Sequence, residues 1–333
     1  MNLLIVIHEY ANQHEILPQV VDEIRKIVKE EGRAYRVRLV HDWPPNWRHK
    51  LWSLGRPTVV VSMEQVLKFK PEWAMIWTQV PCSKVWEYEM LECANLPVPK
   101  WVAICEGEMP DLSNFGEFVV TKPARSGAGA LVRIMRRNRI RWRPSEIRKF
   151  NWSSDVLIVQ EYIHTGPWPI SYRIGTVFGE PVYAWRCMAN LSRKPFDGEE
   201  RNSTFFEGRT IVSSSKGCTF DFEVPDDVLE LARLTHKAFP TVPVLGTDII
   251  RDFNTRQLYV VEVNAMGDTF HLTSNSGKKI AREFNLDLLG QFGGARAIAR
   301  GIYRRLIQHF ENGSAQQANI SSGERTLDEV VVS

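Results

Sequence analysis
A mixed α/β fold, turning α+β in its later part, is what the sequence predicts, with a small N-terminal layer ahead of a larger hairpin-rich region. Three observations predict it. Residues 1–78 alternate strand, helix, strand, loop and strand, the rhythm of a small open parallel sheet. Ser171–Phe178 and Pro181–Cys187 alternate around Gly179-Glu180, a hairpin signal. The stretch Gly246–Gly267, GTDIIRDFNTRQLYVVEVNAMG, reads as an apolar strand, a polar turn at Asp252–Thr255 and a strand rich in β-branched residues.

That last hairpin also carries the most chemistry. Glu262 and Asn264 are two apart, so both leave one face of an extended strand. Closure symmetric about the turn is expected to bring Asp248 opposite Glu262, on that same face. Two carboxylates facing each other across a ladder repel unless something cationic lies between them. Asp, Glu and Asn oxygens are hard ligands that suit Mg²⁺ shared with a phosphate-bearing substrate. Solvated acids on a surface hairpin fit the same pattern, and the stretch alone leaves both readings open.

A chain of 333 residues has room for two or three domains or subdomains, and 44% apolar with 24% charged residues is ordinary for a globular protein. The net charge of +3 is too small to argue for a nucleic-acid partner or a membrane surface. Cys82, Cys93, Cys105, Cys187 and Cys218 form no CxxC pair, and no His stands at zinc-ligand spacing, so they read as reduced thiols of a cytoplasmic protein. Met1–Ile7 is too short for a signal peptide, and no stretch approaches the ~20 apolar residues of a membrane span.

In chain order, Leu3–Ile7 is a buried strand and His8–Gln13 the loop after it. Ile16, Val20, Ile24, Ile27 and Val28 have helical spacing, so Ile16–Glu31 is a helix stopped by Gly32. Strands follow at Tyr35–Val40, Thr58–Ser62 and Trp73–Thr78, with a loop from His41 to Trp47. Ligands of open α/β sheets lie at the carboxyl ends of strands, which makes His8, Glu9, Tyr10 and the His41–Trp47 loop candidates for one wall of a substrate site. A plain scaffold is the competing reading.

Ser83–Asn95 is a short helix that cannot continue through Pro97 and Pro99. Phe118–Lys122 and Leu131–Met135 are strands joined by a Gly/Ser/Ala loop with Lys122 at its entrance. Small residues let backbone N–H groups approach phosphate oxygens, while the lysine neutralises charge. A flexible turn fits equally well, and the loop lacks the P-loop pattern. Arg136–Lys149 is basic but carries no nucleic-acid module, so it reads as a solvated edge. Asp155–Ile163 is a strand. Arg173 and Arg186 fall on neighbouring strands; lone strand arginines are mostly surface, but two that converge suit the oxygens of a transferred phosphoryl group. Asp197–Ser215 is a polar loop, Asp226–Phe239 an amphipathic helix, and Phe284–Gln308 a helical region interrupted at Gly293-Gly294. The polar tail from Glu311 to Ser333 is expected to be disordered.

Taken together, the elements resemble the ATP-grasp superfamily over about residues 80–305, most closely its carboxylate–amine ligase branch. SKVWEYEMLECANLPVP is similar to the first ATP-contacting lysine with its helix, and FVVTKPARSGAGA to the second lysine strand with its glycine-rich loop. VLIVQEYI resembles the hinge strand that reads the adenine edge, YRIGTVFGEPVYAWR the arginine hairpin, and TDII with YVVEVNAMG the metal hairpin. The resemblance implies the ATP-grasp fold: an N-terminal α/β domain over 1–80, an ATP-grasp domain over 81–310 with a smaller lid at about 100–163, and the two subdomains clamping ATP.

It also implies roles. Lys84, Lys122, Ser126, Gly127, Ala128 and Gly129 would hold the phosphates, and Gln160, Glu161, Tyr162 and Ile163 the adenine. Asp248, Glu262 and Asn264 would hold Mg²⁺ (or Mn²⁺). Arg186, with Arg173, would stabilise an acyl-phosphate formed from a carboxylate substrate before an amine displaces phosphate. A small-molecule, peptide or protein carboxylate and an amine are then the partners, and a homo-oligomer the expected assembly. Two departures stand out: Ser171 occupies the place of a ribose-binding acid, and AMGDTF lacks a proline before its glycine. They keep open a nucleotide-binding regulatory protein that does not ligate; a phosphotransferase on the same fold is a third reading. No Ser–His–Asp or Cys–His arrangement is evident, and a ligase of this kind needs none.

Overall fold
The computed structural model describes residues 1–8, 13, 15–44, 47–66, 68–108, 110–125, 132–140, 156–191, 218–266 and 270–321. Within these, three sheets follow one another along the chain.

The first is parallel, in the order β2-β1-β3-β4, built from β1 (Asn2–Ile7), β2 (Arg36–His41), β3 (Thr58–Ser62) and β4 (Ala74–Trp77). Continuous Leu/Ile/Val runs form β1 and β3 because both faces are covered, the usual pattern of a parallel strand. Helix α1 (Leu17–Glu30) starts at the expected apolar stripe and buries Leu17, Val20, Val21, Ile24 and Val28. A six-residue helix, α2 (Trp47–Trp52), occupies ground where a loop is expected as far as Trp47; it is too short to show a helical period.

Helix α3 (Lys84–Cys93) is capped by Ser83, whose side chain accepts from the Trp86 N–H at 3.3 Å. It leads into an antiparallel sheet ordered β5-β8-β6-β7: β5 (Trp101–Ile104), β6 (Phe118–Pro123), β7 (Arg133–Arg136) and β8 (Leu157–Glu161). The third sheet, ordered β11-β10-β9-β12-β13, consists of β9 (Ile170–Val177), β10 (Glu180–Ala189), β11 (Cys218–Asp221), β12 (Val244–Arg251) and β13 (Leu258–Asn264). The β9–β10 turn has positive φ at Phe178 (45°) and Gly179 (84°), matching the strand twist as tight hairpin turns do.

One face of this central sheet packs on helix α4 (Asp226–Lys237) and on α3, burying Tyr88, Ile174, Ala184, Val228, Ile249 and Val263. The other meets the N-terminal layer through a shared core containing Tyr183, Trp185, Leu3, Ile24, Ile298 and Ile302. Helix α6 (Gly294–Ser321) makes that junction; its Tyr303 hydroxyl donates to Glu31 at 2.6 Å.

Three expectations change at the C-terminal end. Helix α5 (Asn275–Glu283) precedes Phe284, where a helix was expected to begin; it buries only Gly277 and so has no apolar stripe to read. Gly293-Gly294 marks the start of α6 and interrupts nothing. The helix runs on to Ser321 through the stretch expected to be disordered from Glu311: ENGSAQQANIS contains no proline, and a helix already formed extends at little cost through Ala and Gln. Residues 322–333 lie outside the described residues.

Candidate functional site
The register of β12 against β13 decides what the hairpin can do. Arg251 pairs with Leu258 and Ile249 with Val260, a count that alone would bring Asp248 opposite Val261 and send Glu262 to the far side. One extra residue changes this: Val261 bulges out, and Asp248 pairs with Glu262 and Gly246 with Asn264. The expected pairing is present, but a bulge produces it and symmetric closure does not. Asp248, Glu262 and Asn264 therefore share one face, with Arg173, which pairs with Asp248 across β9.

The bulge also turns the Val261 carbonyl into an acceptor for the layer above. Lys122, from β6, donates to it at 2.8 Å and to the Tyr88 hydroxyl at 2.6 Å. Tyr88 donates to the same carbonyl at 2.6 Å and lies 3.0 Å from Gln160 Oε1 on β8. Lys84, at the start of α3, reaches Glu262 at 3.0 Å. Elements far apart in sequence thus bring two lysines onto one end of β13, where the sequence pattern had grouped them only by resemblance.

Charge is compensated pairwise. Arg173 Nη1 donates to Asp248 Oδ2 at 2.6 Å, and Lys84 faces Glu262. Burial alone would lower the Lys84 pKa, but Glu262 and Glu87 outweigh it and raise it. Lys122 is only 4% exposed, and burial lowers its pKa to about 8 against the pull of Glu262. Burial would raise Glu262, yet Lys84 and Lys122 hold it below the usual carboxylate range. Burial lifts Asp248 despite Arg173. Glu87, which no sequence signal singled out, accepts from the Cys82 thiol at 3.3 Å, and its burial pushes it up to about 7 against Lys84.

The donor set fits a hard divalent cation such as Mg²⁺. It offers two carboxylates and an amide on one face, and the side chains of Asp248 and Glu262 remain about a quarter exposed while the lysines are buried. Asn264 turns its amide nitrogen inward, 3.4 Å from the Gly246 carbonyl. Among the described residues no three His, Cys, Asp or Glu side chains gather to hold a metal. The buried Nε of Arg173 has no hydrogen-bond partner among the described residues, a donor on this face that suits an anionic oxygen.

Other expected residues fall elsewhere. Arg186 pairs with Tyr172, one position off Arg173, so the two arginines leave opposite faces of the sheet and do not converge. Arg186 is bound instead to Asp221 at 2.8 Å and Glu223 at 2.6 Å. Neighbouring strands were legible in the sequence; the register between them was not. Gln160 and Glu161 end β8, and Tyr162 and Ile163 follow in the link toward β9, with the Glu161 N–H donating to the Lys100 carbonyl at 2.7 Å. Ser126, Gly127, Ala128 and Gly129 lie outside the described residues, as do Glu9 and Tyr10.

At the carboxyl ends of the N-terminal strands, His8 Nε2 lies 2.8 Å from Ser62 Oγ and His8 Nδ1 3.8 Å from Asp42 Oδ2. This is the order of a Ser–His–Asp set, which the sequence did not suggest. Ser62 is 0% exposed, and its Oγ also accepts from the Glu64 N–H at 3.3 Å. The contacts link the carboxyl ends of β1, β2 and β3.

No family model matches the chain, and no curated protein matches it. Solved structures do resemble it. A D-alanine–D-alanine ligase from Bacillus anthracis is 13% identical, covering 94% of this chain and 99% of that one at a TM-score of 0.47. A D-cycloserine synthetase is also 13% identical, covering 92% and 100% at a TM-score of 0.49. An ATP-grasp ligase complexed with a minimal precursor is 13% identical, covering 91% and 98% at 0.48. At that identity and TM-score the likeness is one of chain course and carries no chemistry with it.

Proposed function
We propose that this chain is an ATP-grasp ligase, joining a carboxylate to an amine with release of ADP and phosphate. One observation carries the reading: Lys84 and Lys122, from separate elements, meet the bulged end of β13 beside the Asp248, Glu262, Asn264 and Arg173 face. Two buried cations next to two partly exposed acids and an amide are what a magnesium–phosphate pair requires of a protein.

ATP with Mg²⁺ would supply the phosphoryl group that converts the carboxylate into an acyl-phosphate, from which the amine displaces phosphate. Asp248, Glu262 and Asn264 would hold the ion, with Lys84 and Lys122 neutralising phosphate oxygens. Gln160 to Ile163 would border the base, and the loop from Ser126 to Gly129 would close over the phosphates to exclude water. Arg173 would meet the charge on the transferred group. Arg186 is not assigned that task, because its side chain leaves the other face of the sheet.

Thermal unfolding with and without Mg²⁺ and a non-hydrolysable ATP analogue tests the reading. Ligand at about 100-fold over its dissociation constant adds roughly 2.7 kcal/mol to native stability. A Mg²⁺-dependent rise in Tm in the wild type, absent in Glu262→Gln, is expected. No rise at millimolar nucleotide would sink the proposal. Product analysis then separates the alternatives: ADP with an amide for the ligase, ADP with a phosphorylated compound for a phosphotransferase, and no turnover for a regulatory binder.

A further inference from the structure
Lys84 and Tyr88 stand four apart on α3, so both side chains leave one face of the helix, a turn from each other. Lys84 goes to Glu262, and Tyr88 to the residue before it: its hydroxyl lies 2.6 Å from the Val261 carbonyl. The Tyr88 ring has little freedom. It is buried, stacks on Trp101 of β5 with centroids 5.1 Å apart and planes at 23°, and carries the Lys122 ammonium 4.9 Å from its centroid.

The proton count around its hydroxyl is tight. Lys122 Nζ has only protons to offer, and it donates to the hydroxyl at 2.6 Å and to the Val261 carbonyl at 2.8 Å. Two oxygens 2.6 Å apart need a proton between them, so the single hydroxyl proton goes to that carbonyl. One lone pair is left on the hydroxyl, and the Gln160 amide, 3.0 Å away, fills it by presenting its nitrogen. Hydroxyl and carbonyl thus fix two of the three ammonium protons. The third has no partner among the described residues, and the ammonium stands one peptide unit from Glu262 on the acidic face.

We propose that Tyr88 is a positioning residue: its hydroxyl aims the Lys122 ammonium so that the third N–H meets a phosphate oxygen. The inference rests on the nucleotide site of the ligase reading and adds to it a residue that touches neither metal nor phosphate. A lysine stem is flexible, and with the carbonyl alone the ammonium would swing about a single hydrogen bond. A second acceptor on a stacked ring removes that freedom before a ligand arrives, so less of it has to be lost on binding. A tyrosine kept for packing alone would need the ring and not the hydroxyl.

Calorimetric titration of the full chain with inorganic tripolyphosphate and Mg²⁺, and separately with adenosine, tests it. Tyr88→Phe keeps the ring and its stacking and removes one oxygen. In that variant tripolyphosphate binding is expected to weaken about tenfold or more, because a charged donor loses one of two fixed acceptors, while adenosine binding stays within about twofold. Lys122→Met should weaken tripolyphosphate binding at least as much, and Tyr88→Phe added to it should weaken it no further, since the hydroxyl acts through the lysine. Equal weakening of both probes, or losses that add in the double variant, would mark a packing role and overturn the proposal. A Tyr88→Phe chain that no longer melts cooperatively would overturn it too, by showing the hydroxyl to be structural. A wild type that binds neither probe sinks the ligase reading and this role with it. One that binds both, with Tyr88→Phe unchanged, sinks the role alone.

Discussion
Lys122 ties the buried end of β6 to the bulge of β13, and its titration reports that junction directly. Burial depresses its pKa from the usual lysine range to about 8 in the folded chain. Unfolding returns it to the ordinary value near 10.4. Between those two values the unfolded chain holds a proton that the folded chain has lost, so stability rises with pH across the window. A shift of this size corresponds to about 3 kcal/mol, absent below pH ~8 and complete above pH ~10.5. Other groups titrate there too, so the quantity to measure is a difference. Urea unfolding of the wild type and Lys122→Met between pH 7 and 11 should give stabilities that diverge by that amount, in favour of the wild type as pH rises. Bound phosphate beside the ammonium would favour its charged form, so nucleotide binding at pH 8–9 should take up protons. Calorimetry in two buffers of different ionisation enthalpy measures that uptake. A pH-independent difference between wild type and variant would refute the picture of a desolvated ammonium held by Tyr88 and the Val261 carbonyl.

Further outcomes follow from the same geometry. Arg173→Gln should abolish Mg²⁺–nucleotide stabilisation in the melting assay, while Arg186→Gln should leave it intact; equal losses would show that the two side chains do share a site. Gly175 lies directly beneath the Tyr183 ring, where an added Cβ would overlap it, so Gly175→Ala should lower stability by about 1–3 kcal/mol, readable as a drop in Tm. His236 is buried neutral, its Nε2 donating to the Val242 carbonyl at 2.8 Å, and burial lowers its pKa to about 4. The unfolded chain binds that proton at higher pH, so stability should fall by about 3 kcal/mol as pH drops from 6.5 to 4, more steeply in the wild type than in His236→Gln.

Legibility in the sequence followed periodicity. Strands β1 and β3, helix α1 and the β9–β10 and β12–β13 hairpins showed in apolar runs, helical spacing or turn residues, because burial imposes those patterns. Helix α5 is polar along nearly its whole length and shows no apolar stripe. The acids of the site were legible as chemistry, since Asp248, Glu262 and Asn264 stand out on apolar strands. Their partners were not: Glu87 is one of three glutamates on a short helix whose buried face includes Lys84 and Glu87 itself, and Tyr88 looks like core. The opposed directions of Arg173 and Arg186 depend on a pairing offset of one residue, which no local pattern records.

The bulge at Val261 joins two features of the site that a change of chain length can separate. The Asp252–Gln257 connection is tied down by Phe253, whose N–H donates to the His164 carbonyl at 2.7 Å, and β13 is held from outside the hairpin by the Val260 N–H, which donates to the Pro97 carbonyl at 2.8 Å. Removing Val261 itself would give an unbroken ladder with Glu262 still opposite Asp248, while taking away the bulged carbonyl to which Lys122 and Tyr88 donate. A deletion at the bulge therefore separates the facing of the acids from the contact with Lys122, which replacing any one of those acids does not do.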